Sequence, residues 1–299
     1  MDNYNLNNSY AAFDDGNLEI TNATIERCLA LADLRPSWST LVPYASLSQV
    51  TLHRALKALS AGSGYDTWTR VKNHLQAIHN SEGRRSSVLD VGTGTGVWAY
   101  ELGDEEAFTD VIGVDVDLSL VGVNVESDQR HANIDFAQLD VVHIRNLASG
   151  IPNYQLLIER CARILRTGGM LVVTELELFY HASSPSYSPS TCLRIWQTAL
   201  RESLKAKGID PDVAVKLSEP DLIVEEIGVP AGGADALPDH FDRPMIQANF
   251  QAMEPTLLEH GYAASEIAAL NRDCLAELTA IDSRYFQRII TVCAHKRRY

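Results

Sequence analysis

Asp90, Gly92, Thr93, Gly94 and Gly96 stand together in the segment Ser87-Val88-Leu89-Asp90-Val91-Gly92-Thr93-Gly94-Thr95-Gly96, and a second acid, Asp115, follows nineteen residues after the last glycine. The apolar residues before Asp90 read as a buried strand, and Val97-Trp98-Ala99-Tyr100-Glu101-Leu102 as a helix. Glycines let a backbone turn sharply and approach a ligand, and the helix N-terminus behind them offers unpaired N–H groups. Val111-Ile112-Gly113-Val114 is a second apolar strand, and Asp115 at its end has the spacing at which a carboxylate accepts hydrogen bonds from ribose hydroxyls. Asp90, two residues before Gly92, suits a cationic amino-acid ligand and would repel a dinucleotide pyrophosphate. With G-x-G-x-G where NAD sites carry G-x-G-x-x-G, the pattern favours S-adenosylmethionine. The competing reading is a tight strand-to-helix connection with a solvated acid on the next strand.

These residues need a sheet to hold them. From Ser87 the chain alternates short apolar runs with helical patterns, as βαβ units do. Strands are expected at Ser87–Val91, Val111–Val116, Leu139–Ile144, Met170–Leu176, Leu222–Ile227 and Tyr285–Ala294. Helices are expected at Tyr154–Leu165, closed by Thr167-Gly168-Gly169 as a C-cap and turn, and at Cys192–Ala206, Met245–His260 and Ser265–Ala280. Before the sheet, residues 1 to about 20 form a loose arm. Helical stretches follow from Asn22 to Leu34, from Ser46 to Leu59 and from Thr67 to His79. The expected division is an N-terminal arm and helical extension over 1–80 and a catalytic domain over 81–299, with a helical cover at about 243–282.

The chain has 299 residues, 25 Lys plus Arg, 39 Asp plus Glu and a net charge of −14. That balance repels a phosphate backbone, so nucleic acid is not an expected partner. Five scattered cysteines show no C-x-x-C pair and no zinc spacing, which points to a reducing compartment and no structural metal. Without a signal-peptide pattern or an apolar run of about 20 residues, neither export nor a membrane is expected. The cytoplasm, or the nucleus, is the expected location.

Four segments carry a resemblance: Val88 to Gly96, Val111 to Asp115, His143-Ile144-Arg145-Asn146-Leu147, and Arg163-Ile164-Leu165-Arg166-Thr167-Gly168-Gly169. Together with the strand through Glu175 they resemble fungal class I S-adenosylmethionine-dependent methyltransferases, the LaeA-like and trans-aconitate methyltransferase-like proteins, over about residues 65 to 295. The resemblance implies an α/β fold, a Rossmann-like sheet that is mostly parallel with its last strand antiparallel. It also implies helices between the last two strands that cover an acceptor site, and an adenine-binding turn containing an acid, for which Asp135 is the candidate. One departure stands out. If Asn133–Phe136 is the third strand, only Ala137 and Gln138 separate it from the next, whereas a parallel crossover takes at least roughly 10 residues.

Methyl transfer is an in-line displacement, so the protein aligns the partners and, for an oxygen or nitrogen acceptor, removes a proton. Groups at carboxyl ends of strands qualify by position: His143 and Arg145 for contact with the cofactor, and His143, His181 and Glu177 for proton removal. Each has an alternative. His143 also reads as a hydrogen-bonded core histidine, Arg145 as a loop brace, and His181 as an exposed loop residue. Glu175 and Glu177, expected on the same side of a strand, also read as two separately bonded carboxylates. The expected function is O-methylation of a small organic molecule in specialised metabolism. The alternatives are a methyltransferase-fold regulator or scaffold with weak or no catalysis and, disfavoured by the glycine spacing, a NAD-linked oxidoreductase.

Overall fold

A computed structural model describes residues 53, 67–115, 138–184, 187, 189–217, 223–232 and 242–297. In chain order the elements are α1 (Thr67–Glu82), β1 (Ser86–Val91), α2 (Val97–Glu105), β2 (Thr109–Val114), β3 (Leu139–Arg145), α3 (Tyr154–Ile164), β4 (Leu165–Leu176), β5 (His181–Ala182), α4 (Thr191–Ala206), α5 (Val213–Lys216), β6 (Ile223–Pro230), α6 (Asp242–Glu259), α7 (Ala264–Leu278) and β7 (Tyr285–His295).

β1 lies between β2 and β3 and is parallel to both; β4 is parallel to the far edge of β3. Parallel neighbours need a crossover, which α2 provides between β1 and β2 and α3 between β3 and β4. β7 then pairs antiparallel with β4, and β6 antiparallel with β7. The mostly parallel sheet with an antiparallel last strand is therefore present. The two-residue β5, not expected from the sequence, adds to β7 at Tyr285 and Phe286.

Because side chains alternate along a strand, each face of the sheet feeds its own core. Val88, Val111, Val141 and Val172 meet Trp68, Val71 and Leu75 of α1 and Trp98 and Leu102 of α2. Leu89, Val91, Val142, Ile144 and Leu171 meet Leu157 and Cys161 of α3 on the other face. A third cluster joins α4, α6 and α7 through Trp196, Leu200, Phe250, Leu257, Cys274 and Leu278 to Phe179, Tyr180 and Tyr285. At the amino edge of the sheet, buried Asp140 accepts two hydrogen bonds from the Arg84 guanidinium, each 2.7 Å, and one from Ser87 N–H at 2.9 Å.

Two expectations are corrected. Gly168 and Gly169 do not cap a helix: α3 ends at Ile164, Leu165 after it is already extended, and both glycines lie inside β4, where its register against β3 shifts. A side chain at Gly169 would press on the Leu139 and Asp140 carbonyl oxygens at 2.9 and 3.1 Å, so the glycine serves close strand approach. The second strand spans Thr109–Val114, two residues earlier at each end than expected, because Arg85 binds Asp110 and the Thr109 carbonyl and draws the strand start in. The helices expected before residue 60 and the segment with Asn133–Phe136 and Asp135 lie outside the described residues, His53 apart. Among the described residues no helix is long and apolar enough to cross a membrane, and no group of three His, Cys, Asp or Glu is placed to hold a metal ion.

Candidate active site

β1 delivers Asp90 to the carboxyl edge of the sheet, and the chain then turns on three glycines in left-handed conformations: Gly92 (φ 74°), Gly94 (φ 56°) and Gly96 (φ 77°). Side-chain-bearing residues rarely adopt such angles. The Gly92 and Thr93 amides both reach the Val114 carbonyl, at 2.8 and 3.1 Å, so the loop hooks over the end of β2. That brings Asp115 to the loop, where its Oδ2 accepts the Gly94 N–H at 2.7 Å. α2 starts behind Gly96, which has no side chain with which to cap the helix N-terminus.

Asp90 is 3 % exposed and both its oxygens are engaged. Thr93 Oγ1 donates to Oδ2 at 2.7 Å, and His143 Nδ1 lies 2.7 Å from Oδ1. Burial works against the Asp90 charge, but the hydrogen bonds from His143 and Thr93 outweigh it and hold the carboxyl below its ordinary range. Burial pushes His143 down as well, against the pull of Asp90. Together the directions describe an ionised Asp90 beside a neutral His143 that donates from Nδ1. The His143 ring is stacked on Trp98.

Arg145, two residues further along β3, faces a residue the sequence did not single out. Its Nη1 lies 2.9 Å from His53 Nδ1, and His53 Nε2 contacts Glu101 of α2. In the sequence His53 stands only within the expected helical stretch from Ser46 to Leu59, with no motif around it to mark it.

Glu175, near the end of β4, and Glu177, just beyond it, do not pair. Glu175 is 1 % exposed and accepts from the Leu147 and Ala148 amides at 2.9 and 3.2 Å and from the Tyr154 hydroxyl at 2.5 Å. Burial pushes its carboxyl up to about 7 despite those donors. Glu177 instead accepts from Arg288 Nε at 2.6 Å and Nη2 at 3.2 Å. His181 Nε2 lies 2.8 Å from Glu177 Oε1, and its ring is tilted against Phe286. Burial opposes the Glu177 charge, yet His181 and Arg288 hold the carboxyl below its ordinary value. Asp90, Gly92, Thr93, Gly94, Gly96, Asp115, His143 and Arg145 thus meet at one edge, formed by β1, β2 and β3. Glu177 and His181 form a second group beyond β4. Asp135 lies outside the described residues.

A parallel sheet with a glycine loop after its first strand, an acid after its second and an antiparallel last strand defines the class I S-adenosylmethionine-dependent methyltransferases, and S-adenosylmethionine is the cofactor of that class. Residues 66–204 match a family described as a methyltransferase domain, and the α/β fold of the chain is the Rossmann-like fold of that class. The chain is 26% identical over 249 residues to a secondary metabolism regulator laeA of Coprinopsis cinerea, covering 74% of this chain and 62% of the relative. It is 31% identical over 118 residues to methyltransferase pytC of Aspergillus terreus, covering 37% of this chain and 36% of the relative. The chain thus spans less than two thirds of the length of either relative. A Haemonchus contortus phosphoethanolamine N-methyltransferase 2, solved with S-adenosylhomocysteine, covers 76% of this chain and 53% of its own at 17% identity, with a TM-score of 0.39.

Proposed function

We propose that this chain transfers the methyl group of S-adenosylmethionine to a small organic molecule, as an O-methylation of a hydroxyl or carboxyl group in specialised metabolism. The observation that carries the reading is the joint between Asp115 and the glycine loop. The Gly94 amide and the Asp115 carboxylate meet at 2.7 Å over an uncapped helix N-terminus, an arrangement suited to a ribose and its neighbouring polar groups.

The residues fit the cofactor. A Cβ at Gly92 would meet Leu147 Cδ2 at 2.4 Å, so nothing larger than glycine keeps this cradle. Asp115 would hold the ribose hydroxyls, Asp90 would face the ammonium of the amino-acid end, and Thr93 and His143 would fix the Asp90 carboxylate. When bound, the cofactor supplies an electrophilic methyl group on a sulfonium. His181, beside Glu177, would take the acceptor proton, and Glu177, held by Arg288, would orient the ring and balance its charge. His143, with Nδ1 committed to Asp90 and its ring against Trp98, serves better as a brace than as a base. Residues 81–299 would form the catalytic domain, with 1–80 as an extension whose α1 packs on the sheet. α6 and α7, within about 243–282, would cover the acceptor side. A net charge of −14 supports a small molecule over nucleic acid as acceptor, and the reading places the protein in the cytoplasm or nucleus.

A second reading, a methyltransferase-fold regulator with weak or no catalysis, is favoured by the name of the Coprinopsis cinerea relative. Incubation with methyl-labelled S-adenosylmethionine and a panel of phenols and carboxylic acids separates the two. Label transfer to a small molecule, lost in Gly94→Asp, supports the enzyme. Cofactor binding without transfer to any member of the panel supports the regulator.

A further inference from the structure

We propose that Arg145, held in place by His53, reads the carboxylate at the amino-acid end of the cofactor, and that His53 is the positioning residue of this contact. The proposal rests on the cofactor reading above and assigns one further group of that ligand.

Arg145 is the last residue of β3 and follows Ile144, which pairs with Val91 of β1 immediately before the glycine loop. It stands on the same side of the strand as His143, the partner of Asp90. The guanidinium therefore belongs to the edge where Asp90, Glu101 and Asp115 gather negative charge. A ligand carboxylate entering there meets repulsion unless a cation is present to receive it.

His53 keeps that cation available. A guanidinium has only donors, so the 2.9 Å contact between Arg145 Nη1 and His53 Nδ1 makes Nδ1 an acceptor. The ring proton then sits on Nε2, which donates to Glu101. His53 is neutral in this arrangement, with one edge turned to the arginine and the other to the acid. Its ring stands edge-on to Trp68, with centroids 5.9 Å apart, and Trp68 is itself edge-on to Trp98 at 5.9 Å. Among the described residues Arg145 forms no ion pair within 4.0 Å; burial works against its charge and pushes the guanidinium below its ordinary range, a cost that nearby Asp90 and Glu101 only partly offset and that a ligand carboxylate would relieve. A neutral histidine orients the arginine through one N–H and leaves its charge for the ligand. A carboxylate in the same place would have neutralised it. The amino-acid end of S-adenosylmethionine carries an ammonium and a carboxylate, which match Asp90 and the planar fork of Arg145.

The test compares binding of S-adenosylmethionine with that of its decarboxylated form, which keeps the ammonium, sulfonium and nucleoside. The general attraction of the acidic protein for the more cationic ligand is common to all variants, so the change in the affinity ratio between variants isolates the carboxylate. The intact protein is expected to prefer the complete cofactor about 10- to 100-fold, the range of a charge-assisted hydrogen bond. Arg145→Met should bring that preference close to unity. His53→Phe, which keeps a ring against Trp68 but no nitrogen, should reduce it several-fold, and His53→Gln, whose amide can accept from Arg145 and donate to Glu101, should restore most of it. Thermal melts confirm that each variant is folded. An unchanged preference in folded Arg145→Met or His53→Phe overturns the proposal while the cofactor reading stands. Failure of the unaltered protein to bind either ligand overturns both.

Discussion

The imidazole of His143 lies flat against the indole of Trp98, ring centroids 3.7 Å apart and planes 6° from parallel, with its Nδ1 turned toward Asp90. A strand, a helix and the first acid of the glycine loop are joined through one buried ring. Replacing His143 with Leu keeps the packing volume but leaves Asp90 with Thr93 as its remaining side-chain donor. The expected loss is about 2–4 kcal/mol of stability, because an ionised buried carboxylate gives up its principal partner. Urea unfolding of the two proteins measures it, and a loss below about 0.5 kcal/mol would show that the ring contributes only volume.

Gly113 lies in β2 and touches no proposed ligand, yet its substitution should be felt at the loop. A Cβ there would come within 2.6 Å of Thr93 Oγ1, the group that donates to Asp90. Gly113→Ala should lower stability by roughly 1–3 kcal/mol and weaken cofactor binding together. Calorimetric binding and unfolding measured on the same sample would expose the error if binding stayed at the level of the parent protein.

Glu175 should give stability an unusual slope with pH. Its folded carboxyl sits at about 7 where 4.5 is ordinary, through burial that its three donors only partly offset. Between those values the folded protein keeps a proton that the unfolded chain has released. This group's contribution is therefore present in full below about pH 4.5 and falls as pH rises toward 7. The advantage of the parent protein over Glu175→Gln should shrink by about 1–3 kcal/mol from pH 4.5 to pH 7.5. Unfolding at both pH values checks this; an advantage that grows with pH would reverse the sign.

For His181 the expectation is a split between binding and turnover. His181→Ala should lower kcat by about 10²-fold or more, the range of a lost general base, with cofactor affinity unchanged. Glu177→Gln should lower kcat less, because the ring loses the acid that orients it. Equal losses in cofactor affinity and kcat would instead assign His181 a structural role.

The glycine loop was legible because its chemistry is local: an apolar strand, an acid, three glycines and a helix occupy adjacent positions, and Asp115 follows at a fixed spacing. The last strand was legible in the sequence from Tyr285 to Ala294, whereas its antiparallel sense came from the family resemblance. Gly168 and Gly169 misled because a glycine pair after a helix suggests a cap, whereas the need for it comes from the Leu139 and Asp140 carbonyls on a neighbouring strand. The separation of Glu175 from Glu177 likewise depends on Tyr154 and Arg288, which no pattern within β4 could indicate. His53 was hidden for the same reason, since its partners Glu101 and Arg145 lie 48 and 92 positions away.

The central claim is that the loop from Asp90 to Gly96, with Asp115, holds S-adenosylmethionine. Calorimetric titration of the protein with S-adenosylmethionine and S-adenosylhomocysteine tests it most directly. Both should bind with micromolar dissociation constants, weakened at least about 10-fold by Asp115→Ala and abolished by Gly94→Asp. Absence of binding to either ligand by the intact, folded protein would contradict it.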